Sequence, residues 1–144
     1  MAEIDVSAEI DVSASPADIA AIMFDPARDP DWVAAVTSVQ IIDPALVPGA
    51  RVRRTGSLLG QSLTWTTAVE AVHFPHVLIL RLEDGPVEGA VRYDVQRAGS
   101  GSRVSIRAAG RAAGAGLLPV SLIAESLRTA IAADLSRLKA LVER

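Results

Sequence analysis

The chain has 144 residues, half of them hydrophobic and 22% charged, with a formal net charge of −3. That length suits one domain, and that balance excludes disorder over most of it. Seventeen acidic residues against fourteen basic ones leave no cationic surplus for phosphate backbones, so no nucleic-acid partner is expected.

Residues 3–14 read Glu-Ile-Asp-Val-Ser-Ala twice. The alternation puts Ile4, Val6, Ala8, Ile10, Val12 and Ala14 on one face of a long strand. Glu3, Asp5, Ser7, Glu9, Asp11 and Ser13 take the wet face. Ser15-Pro16 predicts a capped helix start, and Ile19, Ile22 and Met23 give that helix a short apolar stripe. The run from Asp25 to Trp32 breaks it with Pro26 and Pro30, and Asp31 is expected to cap a second short helix reaching Val36. Strand character returns over Val39 to Ile42, before the turn-rich stretch 43–49.

From Ala50 onward a meander is predicted, with strands near 50–59, 62–73, 76–83, 87–97 and 102–111. The breaks are Gly60-Gln61, Phe74-Pro75, Asp84-Gly85-Pro86 and Gly99-Ser100-Gly101. Connections this short imply antiparallel neighbours. In the second of these strands Leu63, Trp65, Thr67, Val69 and Ala71 share a face opposite Thr64, Thr66 and Glu70. In the fourth, Val91, Tyr93 and Val95 oppose Arg92, Asp94 and Gln96; in the fifth, Val104, Ile106 and Ala108 oppose Arg103, Ser105 and Arg107. Gly110, Gly114 and Gly116 read as a flexible approach to one long helix, about Leu118 to Glu143. Its stripe is Val120, Ile123, Leu127, Ile131, Leu135, Leu138 and Val142. The predicted fold class is therefore α+β: a curved antiparallel β-sheet wrapped around a long C-terminal α-helix, with two short helices after the first strand.

The absence of cysteine excludes disulfides, thiolate metal sites and Cys nucleophiles. His73 and His76 flank Pro75 and read as turn residues rather than a metal pair, since three or four ligands are normally needed. Asp25, Asp29 and Asp31 sit beside prolines or at a helix start, where capping and turn roles explain them. No serine lies in a nucleophile elbow, and Gly110 to Gly116 does not match a dinucleotide fingerprint. No metal or cofactor is expected. The acidic, alternating start has neither the basic region nor the apolar run of a signal peptide. With no apolar run of membrane-spanning length either, a cytoplasmic chain without integral membrane association is expected.

This order of elements resembles the START-like superfamily, also called SRPBCC, which includes the polyketide cyclase/dehydrase families. The likeness runs through Ser13-Ala14-Ser15-Pro16-Ala17-Asp18, Asp25 through Trp32, Pro48-Gly49-Ala50-Arg51 and Val69-Glu70. It continues in Gly85-Pro86, Arg92-Tyr93, Gly101-Ser102-Arg103-Val104 and the closing Ala133 to Lys139. It covers residues 1–144 as one domain. The resemblance implies the helix-grip fold, with a deep apolar cavity between sheet and helix where members usually bind hydrophobic small molecules. It implies no shared catalytic motif, so fold alone does not settle the activity.

Strand parity then nominates the cavity's lining. Leu63, Trp65, Thr67, Val91, Tyr93, Val104 and Ile106 are expected on the sheet side, and Ile123, Leu127 and Ile131 on the helix side. Alternatively, the same residues pack together and close the space. A Tyr93 or Thr67 hydroxyl turned inward needs a partner, which is either protein backbone or a ligand or water. Arg54 shares the parity of Val52 and Leu58 and either points inward or reaches the surface after a bulge. Arg81 lies in a run that is apolar on both faces, which leaves its direction open. Binding of a lipid-like or polyketide-like molecule is favoured over catalysis, because no inward Asp, Glu or His is evident in the sheet. The alternative is a cyclase or dehydratase using polar cavity residues such as Tyr93 and Arg54 for acid–base chemistry.

Overall fold

The computed structural model describes residues 3–58, 60–84, 87–112 and 119–144. The duplicated segment forms β1 (Glu3–Val12). It leads through α1 (Pro16–Met23) and a 3-10 turn at Pro26–Arg28 into the four-residue α2 (Asp29–Trp32). Six strands follow: β2 (Val36–Ile41), β3 (Arg51–Leu58), β4 (Gln61–His73), β5 (Val77–Leu82), β6 (Val87–Ala98) and β7 (Gly101–Ala112). The last element is α3 (Val120–Val142), one continuous helix of 23 residues. The expected glycines Gly85, Gly114 and Gly116, with Pro86 and Leu118, lie outside the described residues.

All strands join one sheet in the order β1-β7-β6-β5-β4-β3-β2, and every neighbouring pair is antiparallel. The sheet curves around α3, which packs chiefly on β1. This is the helix-grip fold. Among the described residues no helix is long and apolar enough to cross a membrane.

Local sequence explains most of these elements. On β1, Ile4, Val6 and Val12 are buried while Asp5, Glu9 and Asp11 face solvent. The wet face meets arginines across the β1–β7 ladder, Asp5 with Arg107 at 2.6 Å and Asp11 with Arg103 at 3.1 Å. Exposed pairs of this kind add little, so the register is set by the buried face. The Ser15 hydroxyl accepts the Asp18 N–H at 3.2 Å and Pro16 takes the first helical position, which starts α1 as expected. On α3, Ile123, Ile131, Leu135 and Leu138 are buried, each contributing about 1.5–3 kcal/mol by removal from water.

Three expectations are corrected. First, α2 ends at Trp32, where Val33 turns extended. Asp31 therefore lies inside the helix and pairs with Arg28 at 2.6 Å rather than capping a longer one. Strand β2 begins at Val36 in consequence. There Gly56 of β3 comes so close that any Cβ would collide with the Ala35 carbonyl oxygen. Second, β4 carries a bulge between Val69 and Ala71. Beyond it Val72, not Ala71, opposes the buried Leu78, because one extra residue inverts the parity.

Third, Thr66 is buried on the face expected to be wet, as is Ala68. Both are short and sit between long neighbours. Arg51 and Arg81 flank Ala68 in the adjoining strands, and Glu83 pairs with Arg51 at 2.7 Å and with Arg81 at 3.5 Å. The ion network roofs the small side chains. Arg81, left open by the sequence, thus points outward while Leu78 and Leu80 point to the core.

Candidate ligand cavity

A cavity of about 210 Å³ lies between the concave sheet face and α3. At a liquid share of about 30 Å³ per molecule, that volume corresponds to roughly seven waters. Alternate residues of four strands reach it: Leu63 and Trp65 from β4, Leu82 from β5, Val91 and Tyr93 from β6, Ile106 and Ala108 from β7. Helical spacing brings Leu127, Ala130, Ile131 and Asp134 from α3. The end of α2 and the segment after it supply Trp32, Val33 and Ala35, and Asp84 follows β5. The space exists because Ala35, Ala108 and Ala130 occupy positions where larger side chains would fill it.

Aromatic packing fixes the inner wall. Trp32 meets Tyr93 edge to face at 5.8 Å between ring centroids, and the Phe24 ring lies 6.3 Å from Tyr93 by the same measure. Tyr93 is therefore held in place by carbon contacts. Its hydroxyl has no hydrogen-bond partner among the described residues. Burial raises the phenol well above its ordinary value, the nearby Asp29 adds to the rise, and Arg54 opposes it. At neutral pH the group is a neutral donor and acceptor.

Two buried carboxylates flank this wall. Asp134 accepts the Ala34 N–H at 3.2 Å and a bond from Arg137, in both cases through Oδ1. Burial nevertheless lifts its carboxyl above the usual range, with the Ala34 N–H and Arg137 acting against the rise. Asp29 is 3% exposed and meets the buried Arg54 at 2.5 Å, while Arg54 also donates to the Thr67 hydroxyl at 2.6 Å. For Asp29 too, burial pushes the carboxyl up, and the Arg54 guanidinium is the main force pulling it back. Asp84 is more exposed and accepts the Thr66 N–H through Oδ1 at 2.5 Å.

Of the residues nominated from sequence, the structure brings Leu63, Trp65, Val91, Tyr93, Ile106, Leu127 and Ile131 together around the cavity. It places four others elsewhere. Val104 and Ile123 are packed into the core beside the cavity. Arg54 and Thr67 do point inward, but they are engaged with Asp29 and with each other. Asp29 is correspondingly a buried counterion and not a cap, whereas Asp25 does cap the 3-10 turn through the Ala27 N–H at 3.0 Å.

The reading of inward carboxylates is confined to the sheet, and the two that turn inward, Asp29 and Asp134, both come from helical segments. The signal for Asp134 was present. It stands three residues after Ile131 and four before Leu138, on the apolar stripe itself. Trp32 is fully buried and also lines the cavity. His76 donates through Nδ1 to the Val95 carbonyl at 2.8 Å and lies in the β4–β5 turn, while His73 ends β4. Among the described residues no three His, Cys, Asp or Glu side chains are grouped to hold a metal ion.

A seven-stranded antiparallel sheet gripping one long helix, with an apolar cavity between them, defines a helix-grip ligand-binding fold of the SRPBCC or START-like kind. The family model described as "Polyketide cyclase / dehydrase and lipid transport" matches residues 3–143, and the chain belongs to that family. Solved structures show the same architecture. A START superfamily protein from Mycobacterium smegmatis is 18% identical with a TM-score of 0.82, over 96% of this chain and 97% of that one. TTHA0849 from Thermus thermophilus is 17% identical with a TM-score of 0.82, over 96% of this chain and 97% of that one. The di-domain ARO/CYC BexL from the BE-7585A biosynthetic pathway is 21% identical with a TM-score of 0.76, over 99% of this chain and 47% of that one. At these identities the likeness establishes the fold. No curated protein matches the chain.

Proposed function

We propose that this protein binds a hydrophobic small molecule, lipid-like or polyketide-like, in the cavity between the sheet and α3. The observation that carries this reading is the cavity's make-up: an almost wholly apolar wall with a few convergent polar groups, Tyr93 and Asp134 foremost. Affinity would come from apolar area removed from water, about 25 cal/mol per Å². Such burial discriminates poorly between similar bodies, so orientation falls to the Tyr93 hydroxyl, which has no partner among the described residues. The family's description, covering lipid transport as well as cyclisation and dehydration, fits a carrier of this kind.

A second reading is favoured by one feature. Asp134 is a carboxyl whose proton affinity burial raises, and it lines the same cavity as the Tyr93 phenol, as acid–base chemistry on a polyketide would need. The test is titration with a fluorescent hydrophobic probe, displaced by a panel of fatty acids and polycyclic phenols. Saturable probe binding, displaced by at least one class in the panel, is expected. Absence of binding by every compound would overturn the reading. Turnover of a polyketide-like compound that Tyr93→Phe abolishes, with binding intact, would establish the enzymatic one.

A further inference from the structure

The cavity's charge is one-sided. Among the described residues its lining includes two carboxylates, Asp134 and Asp84, and no Lys, Arg or His. The one buried cation among the described residues, Arg54, is neutralised by Asp29 at 2.5 Å and bonds to Thr67. Arg137 offsets part of the Asp134 charge from outside the cavity lining, with 43% of its side chain exposed. Both carboxylates use the same oxygen on the protein. Oδ1 of Asp134 takes the Ala34 N–H and Arg137, and Oδ1 of Asp84 takes the Thr66 N–H. Each Oδ2 makes no hydrogen bond among the described residues.

Tyr93 is the independent sign of a ligand. It is 8% exposed, lines the cavity, and its hydroxyl has no partner among the described residues. Four groups of the lining residues make no hydrogen bond among the described residues: Oδ2 of Asp134, Oδ2 of Asp84, the Tyr93 hydroxyl, which both donates and accepts, and the buried Trp32 Nε1–H, a donor. The rings of Trp32, Trp65 and Tyr93 present π-faces or edges to the same space, and π-faces attract cations. An anionic head group would meet repulsion from two carboxylates with no cation in the lining to answer it.

Resting on the ligand-binding reading, we propose that the cavity selects ligands whose apolar body carries a protonated amine, donated to Asp134 Oδ2, with Asp84 adding to the negative field. Fatty-acid-like anions are the disfavoured class. Apolar burial sets the affinity common to all ligands, and the head group decides among them.

The test compares three probes with one body, 4-phenylbutylamine, 4-phenylbutanol and 4-phenylbutanoic acid, titrated at pH 7 by calorimetry. The amine should bind at least about tenfold tighter than the acid, the span of one charge-assisted hydrogen bond. Asp134→Asn keeps Oδ1 for the Ala34 N–H and so retains the fold. It should weaken the amine by about tenfold and leave the acid no weaker. Asp84→Asn, which keeps Oδ1 for Thr66, should narrow the amine-to-acid ratio by a smaller, salt-sensitive factor. The wild-type ratio is decisive even where a variant is unstable. An acid that binds as tightly as the amine, or a ratio unchanged in both variants, overturns the proposal. If the alcohol and acid bind and the amine does not, this inference fails and the ligand-binding reading stands. If none of the three binds, both fail.

Discussion

Arg54→Met removes a cation while keeping most of the side chain's bulk. Asp29, 3% exposed, then loses the partner that stands 2.5 Å away, and the Thr67 hydroxyl loses a donor at 2.6 Å. Breaking a buried pair from one side costs about 3–5 kcal/mol, because the remaining charge has neither water nor counterion. Domains of this size have about 5–15 kcal/mol in total, so about a fifth or more of the stability is at stake. At roughly 3–5 °C per kcal/mol, the melting temperature should fall by about 10–20 °C.

Two further arms identify the cause. Asp29→Asn combined with Arg54→Met removes both charges, and should recover most of the loss. The pH dependence also has a definite sign. Without Arg54, burial acts on Asp29 unopposed and its folded value moves further above the ordinary 3.8. The folded state then binds a proton more readily than the unfolded state, so the deficit is smallest below about pH 4 and grows as pH rises through the folded value. Urea denaturation followed by circular dichroism at pH 4 and pH 7 measures each quantity. A loss under about 1 kcal/mol at pH 7, or a double variant no more stable than the single one, would refute the reasoning.

Tyr93→Phe should weaken an oxygenated ligand by about 0.5–1.5 kcal/mol in calorimetric titration, leaving a pure hydrocarbon unaffected, because one hydrogen bond is removed from an otherwise unchanged wall. Leu127→Trp should fill the space opposite the sheet and abolish binding of ligands of every class, at about 1–3 kcal/mol in stability from overpacking; retained probe fluorescence would contradict it. Asp134→Asn should change the pH profile of stability. Burial raises the Asp134 carboxyl above 3.8, so its proton-linked stabilisation is present below that value and fades as pH rises through the folded one. Urea titrations should therefore find the wild type's advantage over the variant greatest at low pH, and an advantage growing with pH would count against the assignment.

The strands were legible because their faces differ so sharply. Alternation in β1, β6 and β7 predicts which side chains turn inward, and observed ends fall within a residue of expectation for β6 and β7. The α3 stripe was equally plain. Alternation failed in β4, where a bulge after Val69 reversed the parity and where an ion network covered Thr66 and Ala68. Neither is local: a bulge is defined by its partner strand, and the roof by charges from neighbouring segments. Leu63, Trp65, Val91, Tyr93 and Ile106 were found by strand parity alone, and Leu127 and Ile131 by helical spacing. Asp29 was out of reach, because its partner Arg54 is 25 residues away and nothing near Pro30 distinguishes a counterion from a cap. Asp134 was within reach, since a carboxylate on an apolar helical stripe has to meet a donor or a cavity, and it meets both.

The central claim is that the space between the sheet and α3 takes a ligand. Methyl-resolved NMR with 4-phenylbutanol tests it most directly, because the cavity lining includes Val91, Ile106, Ala108, Leu127 and Ile131. Saturable shifts at those methyls, largest there and smaller at the core residue Ile4, which is not part of the lining, are the predicted result. No shifts, or shifts confined to the exposed Ile41, Ile42 and Val47, would contradict it.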